Sequence, residues 1–343
     1  MPNLGGAVLR FRKGLVLLAL CVASACGDAA DVQGVAVAQA DGGNRAGGVQ
    51  QGNRGTIDAT LALVAAYCTR LYACQPHDAA IDYTSPSVCG QRELVRILAV
   101  VGATGATSNN DTLAACAKWV NDASCDAIHY GGPPRCYFGP GTRANDKPCA
   151  WDSQCQGKVC VRKGAETCGV CATEGQVGDS CSPRTCAAGL ACVFDAEFKK
   201  YRCRARAKLG EPCNAGVKYE PVCGYGLVCT GSTCAPAGSK GAPCPSGGCD
   251  HDLGLDCHKE SKQCTPIPMG TPGATCSING IGHDLYKECH DGLCLNRNDM
   301  GNGTCTAYAP DGGKCGGWSG PACRVPAVCV QGTCRVLSGA ECL

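Results

Sequence analysis

A cysteine preceded three residues earlier by glycine recurs at nearly constant intervals through the second half of the chain. Cys149, Cys181, Cys213, Cys244, Cys276 and Cys315 lie 32, 32, 31, 32 and 39 residues apart. Gly178, Gly210, Gly241, Gly273 and Gly312 stand before the last five, Gly339 stands before Cys342, and Asp146 takes the place before Cys149. A period of that length is the signature of a repeat array, in which each unit is too small to bury a core of its own. Cysteine supplies what the core cannot: 34 of 343 residues are Cys and only 5% are aromatic. Short local disulfides of this kind contribute about 2–4 kcal/mol each and serve modules short of apolar surface. The expected fold class is therefore small and disulfide-rich: an N-terminal disulfide-stapled three-helix domain followed by short-stranded cysteine-rich repeats.

The units can be cut in two registers. If Gly-x-x-Cys opens a unit, Cys171 and Cys342 are left over at opposite ends of the array. If it closes one, five complete sets of four appear. They are Cys186, Cys192, Cys203 and Cys213; Cys223, Cys229, Cys234 and Cys244; Cys249, Cys257, Cys264 and Cys276; Cys289, Cys294, Cys305 and Cys315; and Cys323, Cys329, Cys334 and Cys342. Irregular pairing is then confined to Cys136, Cys149, Cys155, Cys160, Cys168, Cys171 and Cys181. The closing register is preferred, with each unit a pair of short strands. A Gly-Leu step recurs before Cys192, Cys229, Cys257 and Cys294, with the glycine expected in a turn and the leucine as the unit's main aliphatic side chain.

Ahead of the array, Arg10, Arg12 and Lys13 followed by apolar Gly14 to Val22 read as a signal peptide spanning residues 1–25. Residues 26–55 carry no apolar period and read as a flexible Gly/Ala/Gln/Asp tether. Residues 56–138 form the helical domain. Its first helix starts at a Thr56 cap and stops at Pro76; its second is capped by Ser85 with Pro86 in the first turn and stops at Gly102 and Gly105. The third follows Asp111, with a brief resumption near Cys125 and Ile128. Cys68, Cys74, Cys89, Cys116, Cys125 and Cys136 staple it, and six cysteines allow fifteen pairings. Residues 139–343 hold about six repeats.

Ala23-Ser24-Ala25-Cys26 resembles the lipobox of bacterial lipoproteins, with Ala23 where leucine is favoured. The resemblance implies a lipid on Cys26, and Gly27 in place of Asp implies sorting to the outer membrane; plain secretion is the alternative. The whole layout resembles cysteine-rich repeat lipoproteins of Gram-negative bacteria, and the units over Cys149 to Cys342 are similar to Dickkopf-type and EB-type cysteine modules. That likeness rests on cysteine spacing and Gly-Leu, so it implies a disulfide module and carries over no binding residue.

Few residues suggest chemistry. Cys168-Gly169-Val170-Cys171 is a CxxC without the strand and helix that a redox thiol requires. Gly178-Asp179-Ser180 runs straight into Cys181, and no nucleophile elbow stands elsewhere. Asp250, His251, Asp252, Asp256 and His258 gather five metal-ligand types around Cys257, which reads as a solvated loop. His77 and His129 have no partner pattern. The sequons at Asn110 and Asn302 carry no meaning in a bacterial protein. Lys199, Lys200, Arg202, Arg204, Arg206 and Lys208 place six basic residues within ten around Cys203. They are the best candidate binding loop.

Loss of the leader removes three basic and no acidic residues, turning a formal charge of +2 into −1, which offers nothing to attract nucleic acid. The expectation is a non-enzymatic, lipid-anchored, extracytoplasmic protein without cofactor or metal, its array a binding or adhesion stalk. Its partners are the membrane, through the anchor, and an anionic polysaccharide or acidic protein face. The alternative is a secreted protease-inhibitor-like effector.

Overall fold

The computed structural model describes residues 50–131, 136, 138–162, 166–181, 186–187, 189–195, 200–213, 223–244, 248–277, 288–295, 301–316 and 320–342. The leader, Cys26, most of the tether and Lys199 lie outside the described residues. Cysteine-rich and dominated by short strands after its helices, the chain has the small disulfide-rich fold expected.

Among the described residues there are five α-helices, α1 (Gln50–Cys74), α2 (Pro76–Asp82), α3 (Pro86–Val101), α4 (Asn110–Asp122) and α5 (Cys125–Gly131), so α2 is added to the three expected helices and the brief resumption near Cys125 and Ile128 is a helix of its own. The first starts six residues before Thr56, so the last stretch of the expected tether is helical. Gln50, Gln51 and Arg54 are good helix formers, and extending an existing helix is far cheaper than nucleating one. Thr56 is no cap; its hydroxyl donates to Asn110 Oδ1 at 2.8 Å. Pro76 ends α1 and also begins α2, because a proline without N–H is tolerated in a first turn. Ser85 caps α3 as read, accepting from Val88 N at 3.2 Å. The cap of α4 is Asn109, in a reciprocal capping box with Thr112, rather than Asp111.

Leu63, Ile97, Leu113 and Val120, all fully buried, form the centre of the helical core. Cys68–Cys89 ties α1 to α3, Cys74–Cys125 ties α1 to α5, and Cys116–Cys136 ties α4 to the segment after α5. A 20-residue part of α1, Gly55–Cys74, is long and apolar enough to cross a membrane. Its inner face is the wall of this core, and both of its cysteines are bonded to other helices. Beneath that core runs a buried polar chain: Tyr83 OH donates to Glu93 Oε1 at 2.8 Å, and Arg96 Nε donates to Glu93 Oε2 at 2.7 Å.

The array overturns the preferred register. Each unit contains an antiparallel hairpin whose third and fourth cysteines face each other directly, such as Cys192 and Cys203 or Cys229 and Cys234. Facing cysteines do not bond to one another. In all six units the first cysteine bonds the third and the second bonds the fourth: Cys149–Cys160 with Cys155–Cys171, Cys181–Cys192 with Cys186–Cys203, and Cys213–Cys229 with Cys223–Cys234. Cys244–Cys257 with Cys249–Cys264, Cys276–Cys294 with Cys289–Cys305, and Cys315–Cys329 with Cys323–Cys334 complete the series. Gly-x-x-Cys therefore opens a module.

The physical reason lies in the glycine. Gly178, Gly210, Gly241, Gly273 and Gly312 all have positive φ, a region other side chains rarely adopt. That conformation turns each glycine N–H onto the carbonyl of the fourth cysteine of its own unit, at 2.8 Å every time. The fourth cysteine's N–H returns to the next carbonyl, as in Cys234 N to Glu211 O at 2.9 Å. Asp146, at φ 64°, makes the same bond to Cys171 O, aspartate being among the few residues tolerated there. The lead-in to each module also pairs in parallel with its second cysteine: Arg143 with Cys155, Gly175 with Cys186, Ala207 with Cys223, Gly238 with Cys249, Gly270 with Cys289 and Ala309 with Cys323. The modules are thus 143–173, 175–205, 207–236, 238–266, 269–307 and 309–335.

The cysteine left over beside Cys342 is Cys168, not Cys171, and the two are bonded to each other. Val49–Leu343 form one compact unit, in which the array returns repeatedly to the helices instead of standing away from them as a stalk. In module 1, Ser153 Oγ donates to Val100 O at 2.8 Å. In module 3, Tyr225 N donates to Asp126 Oδ1 at 3.1 Å, and Tyr225 OH donates to Cys74 O. Module 6 is held by Arg92, which grips Asp311 through two bonds of 2.7 Å and Val325 O at 2.6 Å.

The C-terminal segment then docks back onto module 1. Trp151 Nε1 donates to Leu337 O at 3.1 Å, Gln154 Nε2 to Gly339 O at 3.2 Å, and Arg143 Nη1 to Cys342 O at 3.1 Å. Leu337 is buried there beside Ala150.

Candidate functional site

The basic run does not form one loop. Lys200–Ala205 is the second strand of the module 2 hairpin, paired with Leu190–Asp195. Six-residue strands make this hairpin longer than that of module 3, where both strands have four residues. Strand alternation sends Lys200, Arg202 and Arg204 to one face and Tyr201, Cys203 and Ala205 to the other. Register sets Arg202 across from Val193 and Arg204 across from Ala191, both of the latter buried, while Lys200 and Arg204 remain exposed. Arg206 falls after the strand and comes within electrostatic reach of His129 in the helical domain. Lys208 belongs to the exposed turn that opens module 3, where its N–H donates to Glu211 Oε2 at 2.7 Å.

The five ligand-type residues around Cys257 disperse. Asp250 Oδ1 accepts from Leu253 N at 3.3 Å to cap a one-turn 3-10 helix, and His258 Nδ1 accepts from Ser261 N at 3.3 Å. His251 stays exposed, 3.9 Å from Asp256. Asp252 faces His129 of the helical domain, 3.3 Å away. The CxxC cysteines also part, Cys168 to Cys342 and Cys171 to Cys155. Gly178-Asp179-Ser180 is the opening turn of module 2, with Asp179 Oδ2 accepting from Gln176 N at 2.7 Å. Sulfur triads such as Cys149, Cys155 and Cys171 are close enough for a metal, but each sulfur is in a disulfide and presents no thiolate.

Where the helices meet modules 4 and 5, side chains distant in sequence converge. His129 of α5 lies 3.3 Å from Asp252 of module 4 through Nδ1 and Oδ1. His77 of α2 contacts Glu288 of module 5 through Nε2 and Oε2. Gln75, buried between α1 and α2, points its amide at His129 Nδ1 and reaches Asp78 Oδ2 at 3.2 Å. Tyr225 lies against the His129 ring, centroids 5.8 Å apart. Gly254 is required at this seam, because a Cβ would meet the His77 ring at 2.5 Å.

Burial dominates the electrostatics of the junction. It raises the Asp78 carboxyl above the usual range against the attraction of His129 and His77, and Asp252 and Glu288 add to the rise. Burial likewise raises Asp252 against the pull of His129. His129 is lowered by burial, with Arg206 assisting and Asp252 and Asp78 opposing. Neither histidine shows a partner pattern in the sequence because the partners lie on other elements, 123 and 211 residues away in chain order.

No known protein family, curated protein or solved structure matches the chain.

Proposed function

We propose that the protein is a non-enzymatic extracytoplasmic binding module, lipid-anchored through Cys26, that holds an anionic polysaccharide or an acidic protein face against the strand Lys200–Ala205. One observation carries this reading: Lys200, Arg202 and Arg204 alternate along one face of a hairpin tied down by Cys181–Cys192 and Cys186–Cys203. Alternate strand residues are about 7 Å apart, so three cations lie in a rigid row. A rigid row loses little conformational entropy when it meets a polyanion, and its attraction falls with salt.

The test is binding of the mature protein to immobilised dextran sulfate, with neutral dextran as control. Retention that is lost in moderate salt, and reduced at least tenfold in a Lys200→Ser/Arg204→Ser variant, supports the reading. Equal retention by that variant overturns the ligand assignment. Intact mass of membrane-extracted protein tests the anchor, since acylation of Cys26 adds the mass of its fatty chains. Inhibition of a protease by the unlipidated protein would instead establish the effector reading.

A further inference from the structure

We propose that one end of the helical domain rests on the surface of a phospholipid bilayer, through the outer row of α1 and the groove between α3 and the C-terminal segment. The inference rests on the reading of Cys26 as a lipid anchor.

A helix that walls a core normally turns polar side chains to the water. The outer side of α1 does not. The apolar stretch Gly55–Cys74 has a mean hydropathy of 1.2, yet only 44% of that window is buried. Asp58 and Arg70 are its only charged residues. Ile57, Leu61 and Ala65 follow at four-residue spacing and so form one row along the helix, with Ile57 43% and Leu61 45% exposed and Ala65 exposed as well.

The outer side of α3 repeats the pattern. Its Glu93, Arg96, Ile97 and Val100 are buried, whereas Val95, Leu98, Ala99 and Gly102 line an open groove of about 360 Å³ whose other wall is Val336–Ser338. None of the lining residues is charged. Cys68–Cys89 sets the start of α3 beside the second half of α1, and Asn110, the first residue of α4, meets Thr56. The chain therefore runs along α3 back toward the α1 N-terminus, and the groove and the Ile57–Leu61 row belong to the same end of the domain.

The chain from the anchor enters at that end. α1 begins at Gln50, 24 residues after Cys26 (50 minus 26) and about two turns before Ile57. Those residues cannot carry Gln50 more than about 85 Å from Cys26, so an acylated Cys26 keeps the uncharged face close to the bilayer. Contact is then an intramolecular event, and a weak intrinsic affinity suffices. An apolar face of this kind settles into the boundary between headgroups and acyl chains. The helix lies along that surface instead of crossing it, because both of its cysteines are bonded to other helices.

The test uses the full mature chain with Cys26→Ser, which has no acyl chain to carry it to a membrane. The vesicles are phosphatidylcholine, whose lack of net charge gives the basic strand nothing to hold. The chain should sediment with vesicles at about 1 mM lipid, and a photoactivatable phosphatidylcholine should label the peptides that contain Leu61 and Leu98. Leu61→Ser/Leu98→Ser should lower the partitioning at least tenfold. Absence of vesicle binding, equal partitioning by the variant, or label on Lys200–Ala205 in place of these peptides overturns the proposal. A dimer that the variant disperses, without vesicle binding, also overturns it and gives the face to a second copy of the chain. Both leucines are at least partly exposed, and labelling of the chain with both leucines in place decides the matter even if the variant misfolds. Because the tested chain carries no anchor, vesicle binding stands or falls by this face, whereas the anchor is decided by the intact mass of the membrane-extracted protein.

Discussion

Cys168 and Cys342 are 174 residues apart in the chain and share a disulfide with their Cα atoms 5.4 Å apart. Every other disulfide among the described residues closes within the helical domain or within one module. This bond alone joins the two ends of the array, and Trp151, Gln154 and Arg143 hold the returning segment beside it by its carbonyls.

Opening that bond should weaken the protein without scrambling its modules. Closing a loop of this length removes about 5 kcal/mol of unfolded-state entropy. The Cys168→Ser/Cys342→Ser variant is therefore expected to lose roughly 3–5 kcal/mol in urea unfolding, while non-reducing peptide mapping still finds the module pairs.

Module register is directly testable by proteolysis of the unreduced protein. Cys213 should appear linked to Cys229 and Cys223 to Cys234, with the same first-to-third and second-to-fourth order elsewhere. A Cys234–Cys244 linkage would restore the closing register.

Glu93 is buried with Arg96 and Tyr83 as its partners. Arg96→Met strands the carboxylate and should cost about 3–5 kcal/mol, whereas Tyr83→Phe removes one hydrogen bond and should cost about 1–2 kcal/mol. Chemical denaturation of the two variants gives the comparison.

Asp82 should make stability fall as pH rises through mild acid. Burial first, then Asp78 and Glu93, push its carboxyl up to about 6, against about 3.9 in an unfolded chain. The folded state then binds more protons than the unfolded state between about pH 4 and 6. Protonation is stabilising in that window, and the contribution is lost as pH rises through the folded value. Asp82→Asn should raise the urea midpoint at pH 7 and flatten the profile between pH 4 and 6; an unchanged profile would show that Asp82 titrates normally.

Arg92 is the main polar link between α3 and module 6. Arg92→Ala should leave the hairpin of module 6 intact yet speed proteolytic cleavage near Arg324, whose carbonyl Arg92 holds at 3.1 Å. Cleavage at an unchanged rate would mean that the Cys168–Cys342 closure and the docked tail suffice.

Helix caps and stops were legible wherever one residue type has one local use, as at Ser85 with Pro86. The extension of α1 back to Gln50 was not, because Gln and Arg are favourable in a helix but do not demand one. The short α2 was hidden by Pro76, whose missing N–H both stops one helix and starts the next. Lys200 to Lys208 was readable as charge, but only the hairpin register shows which side chains share a face.

By itself the sequence determined the period and the disulfide-rich class. Those properties follow from composition and cysteine spacing. Tertiary structure decided which cysteine of each facing pair goes to which partner, because the glycine N–H must reach the fourth cysteine's carbonyl within its own unit. It also decided that Cys168 meets Cys342 and that His129 meets Asp252. Contacts between elements so far apart in the chain depend on the path of the whole array around the helices, which no local pattern encodes.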